Sequence, residues 1–148
     1  MEFRRIQAAD VDAVAAFVIE GMRPELYPLH LDRAKVRAVV EAFIEPSRDQ
    51  FQLAAFDGDR MVGGIAAVVM PMLFFERHEA HVVLCRATTP GAGRRLLREL
   101  RGWADADMRI RRVVWPMEFH ADPRIQLLAA RVGFKNTLTV CTYYKGVI

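Results

Sequence analysis

The sequence predicts one α/β domain built on a mixed sheet, and three observations carry that prediction. Apolar, β-branched residues from Val82 run into a glycine-containing break at Thr88-Thr89-Pro90-Gly91-Ala92-Gly93 and resume as a charged, Leu-spaced helix. A further apolar strand, Ile110 to Trp115, follows that helix, and a strand, crossover helix and second strand in one sheet form a right-handed parallel unit. Upstream, the runs Phe51 to Phe56 and Met61 to Met70 are joined by Asp57-Gly58-Asp59-Arg60, a strong short-range hairpin signal.

The remaining elements fall around this frame. Glu2 to Gln7 reads as a short first strand, and Asp10 as the N-cap of a helix whose apolar face is Val11, Val14, Phe17 (or Val18) and Met22, stopping near Pro24. After a loop holding Tyr27 and His30, Asp32 caps a second helix with Val36, Val39, Val40, Phe43 and Ile44, ended by Pro46. Met70 to Phe75 is too apolar for a bare loop, and core packing is its expected role, with a cleft mouth or an oligomer contact as alternatives. The central strand spans Glu79 to Arg86, and its helix carries Leu96, Leu97, Leu100 and Trp103 on one face. Asp122-Pro123 opens a last helix with Ile125, Leu128, Ala129 and Val132, and Gly133 supplies a left-handed stop. Thr137 to Tyr144 closes the chain as a strand, giving the order β-α-α-β-β-β-α-β-α-β.

With 148 residues and 53% hydrophobic content, the chain can bury a proper core without dividing into two domains. The N-terminal segment shows no signal-peptide pattern, and the longest apolar run, Met61 to Phe75, is broken by glycines and proline and is too short for a bilayer; no membrane partner is expected. Cys85 and Cys141 sit in apolar strand-like contexts that suit reduced thiols in a cytoplasmic protein. No cysteine, histidine and acidic spacing fits a metal, so none is expected. The formal charge is +3, much of it from arginines between Arg86 and Arg112. That excess, without an aromatic and basic stripe, argues against nucleic acid.

The glycine turn is the candidate site. A strand feeding a helix N-terminus leaves backbone N–H groups and the positive end of the helix dipole facing one space, where phosphate binds well. Gly91 and Gly93 carry no Cβ to obstruct an anion, and Arg94 and Arg95 add charge. The same residues would also serve an ordinary strand-to-helix turn.

The element order, the glycine turn and Val132-Gly133-Phe134 together resemble the GNAT family of acyl-CoA N-acyltransferases over essentially the whole chain. Its strand pattern, close to V-x-P-x-x-R-x-x-G-x-G, is met here by Val83, Gly91 and Gly93, while Cys85 and Thr88 stand at the proline and basic positions. Ala129 stands where a tyrosine is frequent. The resemblance implies a single-domain fold with a mixed, mostly antiparallel sheet, a splayed parallel central strand pair, and helices on both faces. It implies acetyl-CoA as cofactor, with the pantetheine paired to the backbone of Val83 and Cys85 and the pyrophosphate on Gly91, Ala92, Gly93 and Arg94. Thr88 joins that set, with a phosphate contact weakened or supplied instead by Arg86 or Arg94.

The implied activity is transfer of an acetyl group to a primary amine of a small-molecule or protein acceptor by direct attack in a ternary complex. Such a transfer is helped by a base for the amine and a proton donor for the thiolate. Glu79 and His81, two apart and on the face of Val83, are the candidate bases. With Ala129 unable to donate, Tyr143 is the candidate acid, with Tyr144, His120 or a water as substitutes. Glu76, Glu79 and Glu118 would favour a cationic acceptor if they converge. Acceptor choice in this fold lies with the first two helices, the Met70–Glu79 segment and the last strand; a homodimer through the apolar segment fits the sequence. The competing functions are an acyl-CoA-binding module without catalysis and a nucleic-acid-modifying or -binding protein using the arginine-rich helix.

Overall fold

A computed structural model of the chain describes residues 1–22, 30–116 and 123–135. Hydrogen bonding and side-chain alternation assemble five strands into one sheet in the order β1-β2-β3-β4-β5. These are β1 (Glu2–Arg4), β2 (Gln50–Asp57), β3 (Arg60–Pro71), β4 (His78–Ala87) and β5 (Ile110–Val114). The first three pairings are antiparallel and β4 with β5 is parallel. The expected mixed sheet is therefore present, and α3 (Ala92–Ala106) makes the crossover between its parallel strands. The hairpin closes at Asp57↔Arg60, where Gly58 takes φ +59°, a left-handed conformation that glycine adopts without a Cβ clash.

Helices cover both faces. On one, α1 (Val11–Met22) and α2 (Arg33–Ala42) bury Val14, Phe17, Val36 and Val40 against Ala54, Phe56 and Ala66 of the sheet. On the other, Leu96, Leu97 and Leu100 of α3 pack on Ile65, Ala67 and Val82, joined by Leu128 and Val132 from α4 (Pro123–Arg131) and just beyond it. Gly63 sits beneath α3 so closely that a Cβ there would lie 3.1 Å from Leu96 Cδ1. Gly133, at φ +96°, ends α4; its N–H donates to Ala130 O and that of Phe134 to Ala129 O, so the last carbonyls are satisfied as expected. Among the described residues no helix is long and apolar enough to cross a membrane.

Several local expectations are corrected. The first strand stops at Arg4, because Ile6 gives its N–H to the buried Gln52 side chain (2.9 Å) instead of to a ladder partner. Asp10 is not the cap of α1 but closes a 3-10 turn, Ala8–Asp10, and accepts the Gln7 N–H at 2.8 Å. Asp32 does cap α2, accepting the Lys35 N–H at 3.0 Å. Met22 and Val39 lie on the solvent side of their helices.

The Met70–Phe75 segment is not core: Leu73 and Phe74 are 87% and 85% exposed. The turn closes on itself through Met72 N–H to Arg77 O and Arg77 N–H to Phe75 O, and its tip stays exposed. Met70, Phe75 and their neighbours therefore end a hairpin rather than fill a layer. The predicted last strand, Thr137 to Tyr144, with Cys141, and the Asp122 cap lie outside the described residues, as does Tyr27.

Candidate functional site: a fork between two parallel strands

One irregularity in β4, one in β5 and the early end of the ladder between them create the site. The β4–β5 ladder runs only from His78↔Ile110 to His81↔Val114. Beyond His81, β4 continues to Ala87 with β3 on one side and no described strand on the other. Its backbone N–H and C=O groups on that side form an open edge, which can pair with an extended amide chain.

Just past the fork, β4 holds a bulge. The register with β3 steps from Ala67↔Val82 to Ala66↔Leu84, leaving Val83 as an extra residue that is 54% exposed. This breaks the simple alternation expected along the strand. Val82 and Cys85 both lie in the α3 cluster, whereas Leu84 packs with α1 and α2 and Arg86 bonds to α1. Glu79, His81, Val83 and Cys85 therefore do not share one face. Cys85 contributes a half-buried side chain whose thiol is pushed up to about 12 by desolvation, so its place at the site is one of backbone only.

At the end of β4 the chain turns into α3. Gly91 is left-handed, with φ +85°, and a Cβ added there would meet nothing within 4 Å, so conformation is its requirement. Gly93 is different. A Cβ there would lie 3.2 Å from Leu128 Cδ2 and 3.5 Å from Ala87 Cβ, so it is small to let α4 and β4 approach α3, not to clear space for an anion. Ala92 is buried and gives its N–H to Thr89 O (3.3 Å). The N–H groups of Gly91, Gly93 and Arg94 make no hydrogen bond among the described residues, and no acidic residue occupies the first turn.

A concavity of about 330 Å³ opens beside this turn, lined by Gly91, Arg94, Arg95, Arg98 and Glu99. Arg94 and Arg98 have no ion-pair partner among the described residues, while Arg95 lies over the Phe3 ring and beside Glu99. N–H groups and two guanidiniums, Arg94 and Arg98, with no carboxylate partner among the described residues fit a phosphate-bearing cofactor, although Glu99 also lines the concavity. Two of the sequence-derived phosphate contacts are otherwise engaged. Thr88 donates its hydroxyl to Val62 O (3.2 Å). Arg86 lies over the Phe17 ring, donates to Phe17 O and pairs with Glu20 at 3.2 Å, all on α1.

At the fork, Glu79 and His81 are joined: Nε2 of His81 lies 2.7 Å from Glu79 Oε1. The other carboxylate oxygen, Oε2, accepts from Arg112 Nε at 2.5 Å. These two hydrogen bonds, the imidazole's first, hold the Glu79 carboxyl below its ordinary range against the opposing effect of burial. Sequence reasoning missed Arg112. Its signal was two adjacent arginines, Arg111 and Arg112, inside an otherwise apolar strand, where a charge calls for a partner. Glu76 is exposed at the turn before β4, so it does not join Glu79 in the ladder. Ala129 is buried on α4 and supplies no donor. Tyr143, Tyr144, His120 and Glu118 lie outside the described residues.

No family model and no curated protein matches the sequence. Solved structures do match the fold over nearly the whole chain. A possible acetyltransferase from Clostridium difficile 630 superposes with a TM-score of 0.73 at 16% identity, covering 99% of this chain and 97% of that one. A transcriptional regulator from Bacillus halodurans C-125 gives 0.75 at 16% identity, over 97% and 98% of the two chains. AAC(6')-Iy, in complex with the bisubstrate analog CoA-S-monomethyl-acetylneamine, gives 0.70 at 16% identity, over 99% and 98%. At such identities the likeness is one of architecture, and the architecture of this chain is the GNAT-like fold.

Proposed function

We propose that this protein is an N-acetyltransferase that uses acetyl-CoA to acetylate a primary amine. The observation that carries the reading is the fork: β4 loses β5 immediately after His81, bulges at Val83, and leads into an α3 N-terminus with free N–H groups. The CoA conjugate held by a neighbour of the same fold supports it.

In this reading the Gly91, Gly93 and Arg94 N–H groups, with the Arg94 guanidinium, hold the cofactor's phosphates, and Ala92 shapes the turn. The open backbone edge at Val83 and Cys85 takes the pantetheine amides as an added strand. Acetyl-CoA, when bound, supplies an acyl group already activated as a thioester. An N–H of the bulge is the natural donor for negative charge developing on an acyl oxygen at the fork.

The residues of the fork divide the proton chemistry. Glu79, held ionised by two donors, is a poor base at neutral pH but a good counter-charge for a cationic amine. His81 is the better base. With its Nε2–H donated to Glu79, Nδ1 carries the free lone pair that accepts the amine proton. Tyr143 is the candidate donor to the departing thiolate. The acceptor class is a small molecule or protein amine, and a cytoplasmic setting suits acetyl-CoA.

The test is calorimetric titration with acetyl-CoA of the wild type, Gly91→Asn and Gly91→Glu. Asparagine tolerates the left-handed turn and keeps binding; glutamate places a negative charge at the phosphate site and abolishes it. Failure of the folded wild type to bind overturns the reading. Turnover on an amine panel, read as free thiol, then separates an enzyme from an acyl-CoA-binding module: His81→Ala should lower kcat by about 10²–10⁴-fold.

A further inference from the structure

We propose that Arg112, on β5, is a positioning residue for His81 and acts through Glu79. The inference rests on the acetyltransferase reading of the fork, and it assigns a role to a residue outside the set proposed to hold the cofactor.

The strand register builds the relay. β5 pairs His78 with Ile110 but Glu79 with Arg112, so Arg111 is an extra residue at that step. Without the extra residue Arg111 would stand opposite Glu79 and Arg112 would point to the other side of the sheet, since a one-residue slip reverses every side chain. The irregularity thus delivers the Arg112 guanidinium to the Glu79 carboxylate at 2.5 Å, two rungs before the ladder ends. From there the carboxylate spans to His81 at 2.7 Å, and His81 is the residue at which the strands part. The groups facing this chain from the adjoining strand are Met70, opposite Glu79, and Val68, opposite His81; neither titrates. On the other side His81 faces Val114.

A carboxylate on a strand start can rotate and solvate both oxygens. Fixing Oε2 with a guanidinium leaves Oε1 as a single, directed acceptor for the imidazole. That fixes which ring nitrogen carries the proton, and hence which one is free to take a proton from an amine. The Glu79 side chain is well covered, at 14% exposed, whereas that of Arg112 is half exposed, so the arginine can be changed without opening the core.

The experiment combines ¹⁵N NMR of the histidine ring with steady-state kinetics on the full chain, comparing wild type, Arg112→Gln, Arg112→Lys and the neighbouring Arg111→Gln. Amide spectra confirm that each variant is folded. In the wild type the neutral His81 ring carries its proton on Nε2. Arg112→Gln shifts the ring toward a mixture of tautomers and raises the pH at which the Glu79 carboxyl titrates. It lowers kcat by about tenfold, a part of the ~10²–10⁴ that a positioned base supplies, with KM for acetyl-CoA within about twofold. Arg112→Lys recovers part of the loss, and Arg111→Gln changes none of these readouts. A wild-type tautomer in Arg112→Gln, or equal losses in Arg111→Gln, overturns the proposal. The ring spectra require no cofactor, so a wild type that fails to bind acetyl-CoA sinks the enzymatic reading while the spectra still decide the relay.

Discussion

Thr88 gives both of its donors to one acceptor: its N–H and its hydroxyl meet Val62 O at 2.9 and 3.2 Å. Val62 is itself the extra residue where the β2–β3 register steps from Ala55↔Gly63 to Phe56↔Met61. A bulge in one strand thus anchors the turn at the end of another, and the glycine turn inherits its position from that anchor. A hydroxyl has one proton, and here it is spent on a carbonyl, so Thr88 has none for a phosphate oxygen. Thr88→Val should therefore cost about 0.5–1.5 kcal/mol of stability and leave acetyl-CoA affinity within about twofold. Denaturant unfolding and calorimetry read the two effects; a large loss of affinity at unchanged stability would return Thr88 to the phosphate site.

Gly91 and Gly93 differ in what they require. Gly91 needs a left-handed backbone in open space, so Gly91→Asn should cost about 1 kcal/mol through backbone strain and nothing through packing. Gly93 needs absence of bulk against Leu128 and Ala87, so Gly93→Val should cost about 1–3 kcal/mol through overpacking. Chemical denaturation of the pair decides it, and wild-type stability in Gly93→Val would refute the packing account.

Asp10 ties β1 to the turn before α1, accepting from Arg4 at 2.6 and 2.9 Å and from the Gln7 N–H. The Arg4 hydrogen bond, ahead of the Gln7 N–H and the Arg4 charge, holds its carboxyl below the ordinary range. A carboxyl lowered on folding stabilises the protein fully above its unfolded value of about 3.9, and the contribution fades as pH falls further toward the folded value. Asp10→Ala should cost about 1 kcal/mol at pH 7. The difference from wild type should shrink below about pH 4. A pH-independent difference in melting would count against this account.

Cys85 should behave as an inert thiol. With its ionisation pushed up to about 12 by desolvation, Cys85 stays a thiol at pH 8, and the thiol is the unreactive form. Iodoacetamide treatment of the native protein, followed by peptide mapping, should leave the Cys85 peptide unmodified until denaturant is added. Rapid native labelling of that peptide would show that the bulge opens the strand to solvent.

Much of the frame was legible because it depends on local chemistry. The Asp57–Arg60 hairpin, the Asp32 cap and the Gly133 stop each need particular residues at particular backbone conformations, and such residues can be read from a single chain. The Leu96–Leu97–Leu100 stripe was legible for the same kind of reason: a helix period places those side chains on one face whatever covers them. The Met70–Phe75 segment was misread because apolar composition says nothing of whether a covering layer lies within reach.

What the sequence by itself determined is the order of the described elements, the turn chemistry and most of the apolar faces, since propensity and periodicity act within a few residues. Only the tertiary structure decided the functional details. The bulge at Val83, the anchor of Thr88 on Val62, the attachment of Arg86 to α1 and the placing of Arg112 on Glu79 all depend on register between distant strands or on contact between separate elements. The physical reason is that register is settled by the packing of both faces of the sheet at once. A slip of one residue reverses a side chain without altering any local preference.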